Sequence, residues 1–219
     1  IIIFIFSSNG WAHVEHYSKF NYLEYELFRN NQPIGYHKYD FERSNEILKI
    51  KSEVNFKITK LGVDLYKYFA ISEEIYKNNE FFKFSSKNNQ NKKEKYVNIK
   101  LDKQNKSLNI DGSSYKGSAS IDTIVGTWWN HEIVKAKAQI SAISGRIIEQ
   151  KVEFLGKKQI EINGKTYEAL HFKFFSSDET LPDNKKLNTD IWYDAKTLIW
   201  LKAQFIKQGN WEYRLKKLN

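Results

Sequence analysis

The stretch LKIKSEVNFKI, residues 48–58, constrains the fold more than any other part of the chain. Leu48, Ile50, Ser52, Val54, Phe56 and Ile58 fall on one side of a two-residue period, and Lys49, Lys51, Glu53, Asn55 and Lys57 on the other. Side chains of a strand point alternately to opposite faces, so this pattern predicts a half-buried antiparallel β-strand. No amphipathic helix carries that period.

The same signature recurs along the chain. YLEYELFRN (22–30) and YHKYDFER (36–43) read as strands, with NNQPIG between them and Pro33 and Gly35 as the turn residues. VDLYKYFAISEEIY (63–76) places Val63, Leu65, Phe69, Ile71 and Ile75 on one face. EFFKFSS (80–86) pairs back across 77–79, and KYVNIKLD (95–102) with SLNIDG (107–112) forms the next hairpin. Later come GRIIEQKVEFLGKK (145–158), the hairpin QIEINGKTYEALHFKFF around Asn163-Gly164, the hairpin TDIWYDAKTLIWLKAQF, and NWEYRL (210–215). The fold class is all-β, mainly antiparallel. Roughly ten to twelve strands make too large a sheet to stay flat, so a strongly curved open barrel or half-barrel meander is expected.

One segment breaks the pattern. In GSASIDTIVGTWWN (117–130) the apolar Ile124, Val125, Trp128 and Trp129 stand at helical spacings, and Asp122 is placed to cap a turn. A short helix or compact plug is expected there. Between Phe175 and Asp190 a polar run is long enough to form a rim or lid, with Lys185 and Lys186 in it.

Composition limits the function classes. The chain of 219 residues is 41% hydrophobic and 16% aromatic, enough for a real core without disulfides, and it has no cysteine. Thiolate metal sites and thiol nucleophiles are thereby excluded. A mean hydropathy of -0.64 excludes a multi-span helical membrane protein. IIIFIF followed by small residues, with Gly10 and Ala12 spaced as Gly-x-Ala, reads as the remnant of a secretory signal peptide over residues 1–12. That leaves a single β domain over 13–219; the alternative for 1–12 is a first core strand. The expected location is periplasmic or secreted, and the Lys, Asn and Ile richness points to a bacterium with an AT-rich genome. The net charge is +9, but the lysines sit singly on alternating strands, and KNNQNKKEK (87–95) reads as a solvated hairpin tip. An anionic envelope surface is the expected charged partner, not nucleic acid.

The hairpin DIWYDAKTLIWLKAQF resembles a closing hairpin of exported bacterial β proteins. These include the lipoprotein-localisation-factor type, whose half-barrel encloses acyl chains, and related families known only as domains of unknown function. With YELFRNNQPIGYHKYDF, VNFKITKLGVDLYKYFAISEEIY and TWWN, residues 20–213 are similar to one such uncharacterised family. The resemblance implies an open β-barrel or half-barrel, exported, and supplies no catalytic residues.

Candidate chemistry is sparse. His13, His16, His37, His131 and His171 show no metal-ligand spacing, no nucleophile elbow is present, and no catalytic residue, metal or cofactor is nominated. The aromatic set carries the expectation instead. Trp128, Trp129, Asn130, His131, Tyr66, Tyr68, Trp192 and Trp200 are the candidate lining of a cavity for a hydrophobic or amphipathic, lipid-like ligand. Read structurally, Trp128 and Trp129 plug the curved sheet, with Asn130 and His131 satisfying backbone groups beside it. The alternatives to ligand binding are a structural or protein-interaction module of the envelope and, third, a hydrolase.

Overall fold

The computed structural model describes residues 17–219. The expected leader, residues 1–12, and His13 and His16 lie outside the described residues. The strands β1 (Tyr22–Arg29), β2 (Gln32–Ser44), β3 (Ile47–Lys60), β4 (Val63–Lys77), β5 (Glu80–Gln90), β6 (Lys93–Asp102), β7 (Ser107–Gly112) and β8 (Lys116–Ser120) run as one antiparallel meander. A second run follows: β9 (Ile124–Val125), β10 (Ala138–Ile140), β11 (Ile147–Ile162), β12 (Lys165–Ser176), β13 (Asn188–Asp194), β14 (Trp200–Ile206) and β15 (Asn210–Leu218). β15 pairs with β1, which joins both runs into a single sheet of 15 strands. Only β9 and β10 pair in parallel. The sheet does not close: β8 and β9 are its edges. Among the described residues no helix is long and apolar enough to cross a membrane.

Curvature follows from local irregularity. Register shifts interrupt the β1–β2, β1–β15, β3–β4, β4–β5, β11–β12 and β13–β14 ladders. Each bulge increases local twist and bends its strand, which is how so many strands wrap round a core. The shift between Phe154 and Lys157 contains Gly156 at a φ of 96°, and the strand expected over 145–158 runs on through it into the first arm of the Asn163-Gly164 hairpin, giving the single long β11 paired with β12.

The hairpin turns carry a common chemistry. Asn30-Asn31, Leu61-Gly62, Asn78-Asn79, Asn91-Lys92 and Asn163-Gly164 all hold positive φ at both positions, the tight turn that matches strand twist. The β1–β2 turn is thus Asn30-Asn31, and Pro33 and Gly35 lie inside β2, contrary to the sequence expectation. Gly35 is required there for contact: a Cβ would stand 2.0 Å from Asn55 O on β3.

The inward face of β3 is the one its alternation predicts, with Leu48, Ile50 and Phe56 buried. β4 departs from expectation. Tyr68, Glu74 and Tyr76 face the core, and Phe69 and Ile71 point outward and are exposed; past the bulge at Leu65, Val63 stands opposite Lys60, and both Val63 and Leu65 are exposed near the turn. Both periods of β4 carry bulky side chains, so alternation alone does not say which one faces in. The largest buried side chains, among them Trp129, Trp200, Tyr25, Tyr39, Tyr193 and Phe174, fill the concave side. Each removes enough apolar area from water to contribute about 1.5–3 kcal/mol.

Candidate functional site

The segment between β9 and β10 crosses the concave side and holds both tryptophans. The Trp128 ring packs edge-on against Trp200 (5.2 Å), Tyr213 (5.4 Å) and Phe205 (6.3 Å) on β14 and β15, while its carbonyl accepts from Tyr193 Oη at 2.9 Å. Trp129 turns the other way, edge-on to Tyr17 (5.4 Å), Phe41 (5.6 Å) and Tyr76 (5.9 Å). Successive residues therefore bind opposite walls of the curved sheet. Of the two forms expected over 117–130, helix or compact plug, the structure has the compact segment; the helical element is a single 3-10 turn just after it, His131–Val134. Its cap is Asn130, not Asp122: Asn130 Oδ1 accepts from Glu132 N at 3.1 Å.

Under this segment lies a carboxylate that sequence reasoning missed. Glu74, 3% exposed, accepts from Tyr76 Oη (2.6 Å), Trp129 Nε1 (3.0 Å) and Thr127 Oγ1 (3.2 Å). Tyr76 Oη in turn accepts from Asn130 Nδ2 at 3.2 Å. Burial raises the Glu74 carboxyl above its ordinary range, and the three donors draw it back only in part. The signal was present in the sequence, since Tyr66, Tyr68 and Tyr76 set a period of two that puts Glu74 inward.

The remaining nominated residues divide. Tyr68 and Tyr66 stack on Phe56 (4.9 and 5.9 Å), which meets Trp211 edge-on at 5.2 Å, and Trp211 stacks on Phe205. Rings thus run continuously from Tyr68 to Trp128 and Trp200. Trp192 is on the other face of the sheet, stacked on His171 at 4.3 Å with Lys202 Nζ over its ring. Its own sheet neighbours His171 and Lys202 cover it. His131 pairs with Glu132 at 3.0 Å; burial would raise the Glu132 carboxyl, but His131 and Lys135 bring it down to about 2. His37 bonds Ser52 Oγ inside the sheet, and His171 bonds Asp190 on the outside, so the three histidines stand at separate places.

Open space occurs elsewhere than at the tryptophans. A groove of about 1070 Å³ lies at the seam between the sheet edges. Its floor is Tyr76, Phe81, Leu101, Leu108, Ile124 and Val125, and its rim is Asn78, Glu80, Asp122, Glu132, Lys135 and Lys137. Phe81 packs against both core clusters, which meet here. Of the eight nominated residues only Asn130 borders it. Lys185 and Lys186 sit at the opposite end of the strands, where Lys186 pairs with Asp183.

The sequence profile of a family described as a domain of unknown function, DUF6134, matches residues 25–216. The chain belongs to this family. No curated protein matches the sequence. Among solved structures, the chain is similar to the β-barrel-like protein of domain of unknown function DUF1849 from Brucella abortus. The two are 12% identical with a TM-score of 0.61, over 90% of this chain and 96% of the other. At that identity the likeness is one of fold. This DUF6134 chain is accordingly a β-barrel-like protein whose sheet remains open.

Proposed function

We propose that the chain binds an amphipathic, lipid-like small molecule in the seam groove. The observation that carries this reading is an apolar-floored hollow at the one place where the strand ladder stops. Its volume of about 1070 Å³ is just above the range of about 300–1,000 Å³ usual for small-molecule sites, room enough for a long-chain ligand. The concavity round Trp128 and Trp129 is packed with rings instead.

The rim selects the head group. Glu80, Asp122 and Glu132 face Lys135 and Lys137, so the charges nearly balance, and Lys135 is itself held by Glu132 at 2.9 Å. A neutral or zwitterionic head group suits this rim better than an anionic one. Apolar transfer drives binding, at about 0.8 kcal/mol per buried methylene. Export to the periplasm or beyond is part of the reading, supported by the leader-like sequence of residues 1–12. An interaction role in the envelope has its own supporting observation, the exposed apolar row on β4.

The test is lipid extraction and mass spectrometry of the gently purified protein, with displacement of a fluorescent fatty-acid probe as the second readout. A co-purified lipid at one per chain, lost in Ala136→Trp, is the expected result. A protein that is empty and takes up no probe overturns the reading.

A further inference from the structure

Leu61 holds the first position of the β3–β4 turn at a φ of 52°, with Gly62 at 78°. In this turn Asn or Gly is favoured, because a larger side chain crowds its own backbone in the left-handed region. The four sister turns obey: Asn30, Asn78, Asn91 and Asn163 stand in the same place. Leu61 is also 95% exposed. Turn geometry and burial both disfavour leucine here, so folding does not explain it, and a strained exposed residue points to function.

The apolar surface continues behind the tip. Val63 (61%) and Leu65 (54%) are exposed at the turn end of β4, and Phe69 (43%) and Ile71 (47%) along its outward side. The β5–β6 tip is fastened beside it: Asn91 N donates to Lys67 O (3.0 Å), Asn91 Nδ2 to Leu65 O (3.1 Å), and Lys67 N to Asn91 Oδ1 (2.7 Å). Two hairpin ends thereby form one fixed platform. Its charge is one-sided. Lys57, Lys60, Lys67, Lys87, Lys92, Lys93 and Lys95 outnumber Asp64 and Glu94, and Asp64 is already paired with Lys67 at 3.0 Å. Ile206, 79% exposed and next to Lys207, adds a second apolar point at the same end of the strands.

We propose that this platform docks on the surface of an anionic phospholipid bilayer. Leu61 enters the boundary between head groups and acyl chains, and the lysines stay among the phosphates on their long apolar stems. The excess of lysine is what selects a negatively charged surface over a neutral one. The inference rests on the interaction reading, not on the groove, which opens at the opposite end of the strands.

The test is flotation of the full chain with vesicles of phosphatidylglycerol, or of phosphatidylcholine. Binding to phosphatidylglycerol alone, weakened by salt, is expected. Leu61→Asn restores the favoured turn residue and keeps the fold, and it weakens binding about tenfold through loss of one inserted leucine. Lys92→Glu with Lys93→Glu abolishes binding, and Ala136→Trp leaves it unchanged, which separates this surface from the groove. The proposal is overturned if Leu61→Asn floats as well as the parent, if both lipids bind equally, or if neither binds. A dimer that Leu61→Asn dissolves, without lipid binding, would assign the surface to a second copy and overturn it too.

Discussion

Trp129 Nε1 donates to Glu74 Oε2 at 3.0 Å, and no Lys or Arg among the described residues pairs with that carboxylate. Burial raises the Glu74 carboxyl above its unfolded value. Folded protein therefore holds the proton at pH values where the unfolded chain has released it, and stability falls as pH rises through that window. Glu74→Gln should flatten this fall above about pH 4.5. Glu74→Leu removes the same titration but strands three donors, so it should cost about 3 kcal/mol at low pH and less as the parent's own stability falls with rising pH. Urea titrations across pH distinguish the two.

His37 acts in the opposite sense. Burial pushes its imidazole down to about 3. The unfolded chain takes up the proton first, so stability is complete above about pH 6.5 and is lost on acidification towards the folded value. His37→Phe keeps a ring beside Tyr39, 4.3 Å away, and removes the titration. Its denaturation midpoint should vary less between neutral and mildly acidic pH than the parent's.

The two tryptophans should separate in energy. Trp129 is 1% exposed and hydrogen-bonded, so Trp129→Ala should cost about 3–5 kcal/mol. Trp128 is only partly buried, and Trp128→Ala should cost less. Thermal melts measure the difference; equal costs would contradict the packing described.

Gly35→Ala places a methyl against Asn55 O and should destabilise the β2–β3 pairing by more than about 2 kcal/mol, since backbone must move. Leu61→Asn should have the opposite sign, a gain of about 1 kcal/mol from relief at a positive φ. Comparing both against the parent in one denaturant series checks the backbone argument.

Much of the sheet was legible because alternation is a local property. β3 could be placed with its inward face from residues 48–58 alone, and Asn163-Gly164 marked its own turn. β4 was less legible because Val63, Leu65 and Phe69 compete with Tyr66, Tyr68 and Tyr76 for the same role, and alternation alone does not choose between the two faces. The site was less legible for a different reason. The groove is assembled from β4, β5, β6, β7 and the segment after β8, and no short window contains it. Glu74 becomes a core carboxylate only because Thr127 and Trp129 reach it from far along the chain.

The open edges β8 and β9 are neighbours in sequence, joined across residues 121–123, whereas β1 and β15, at opposite ends of the described chain, pair in the middle of the sheet. Asn21 N donates to Asn219 O at 2.7 Å, so those ends already touch. Every other adjacent pair of strands is consecutive along the chain, which makes β1–β15 the single long loop to be closed in folding. A circular permutant opened at Asp122, with Asn219 joined by a short linker to Tyr17 so that this buried ring is kept, makes that pairing local. The finished sheet is unchanged while its most distant contact becomes local, and such a chain should fold faster than the parent to the same product.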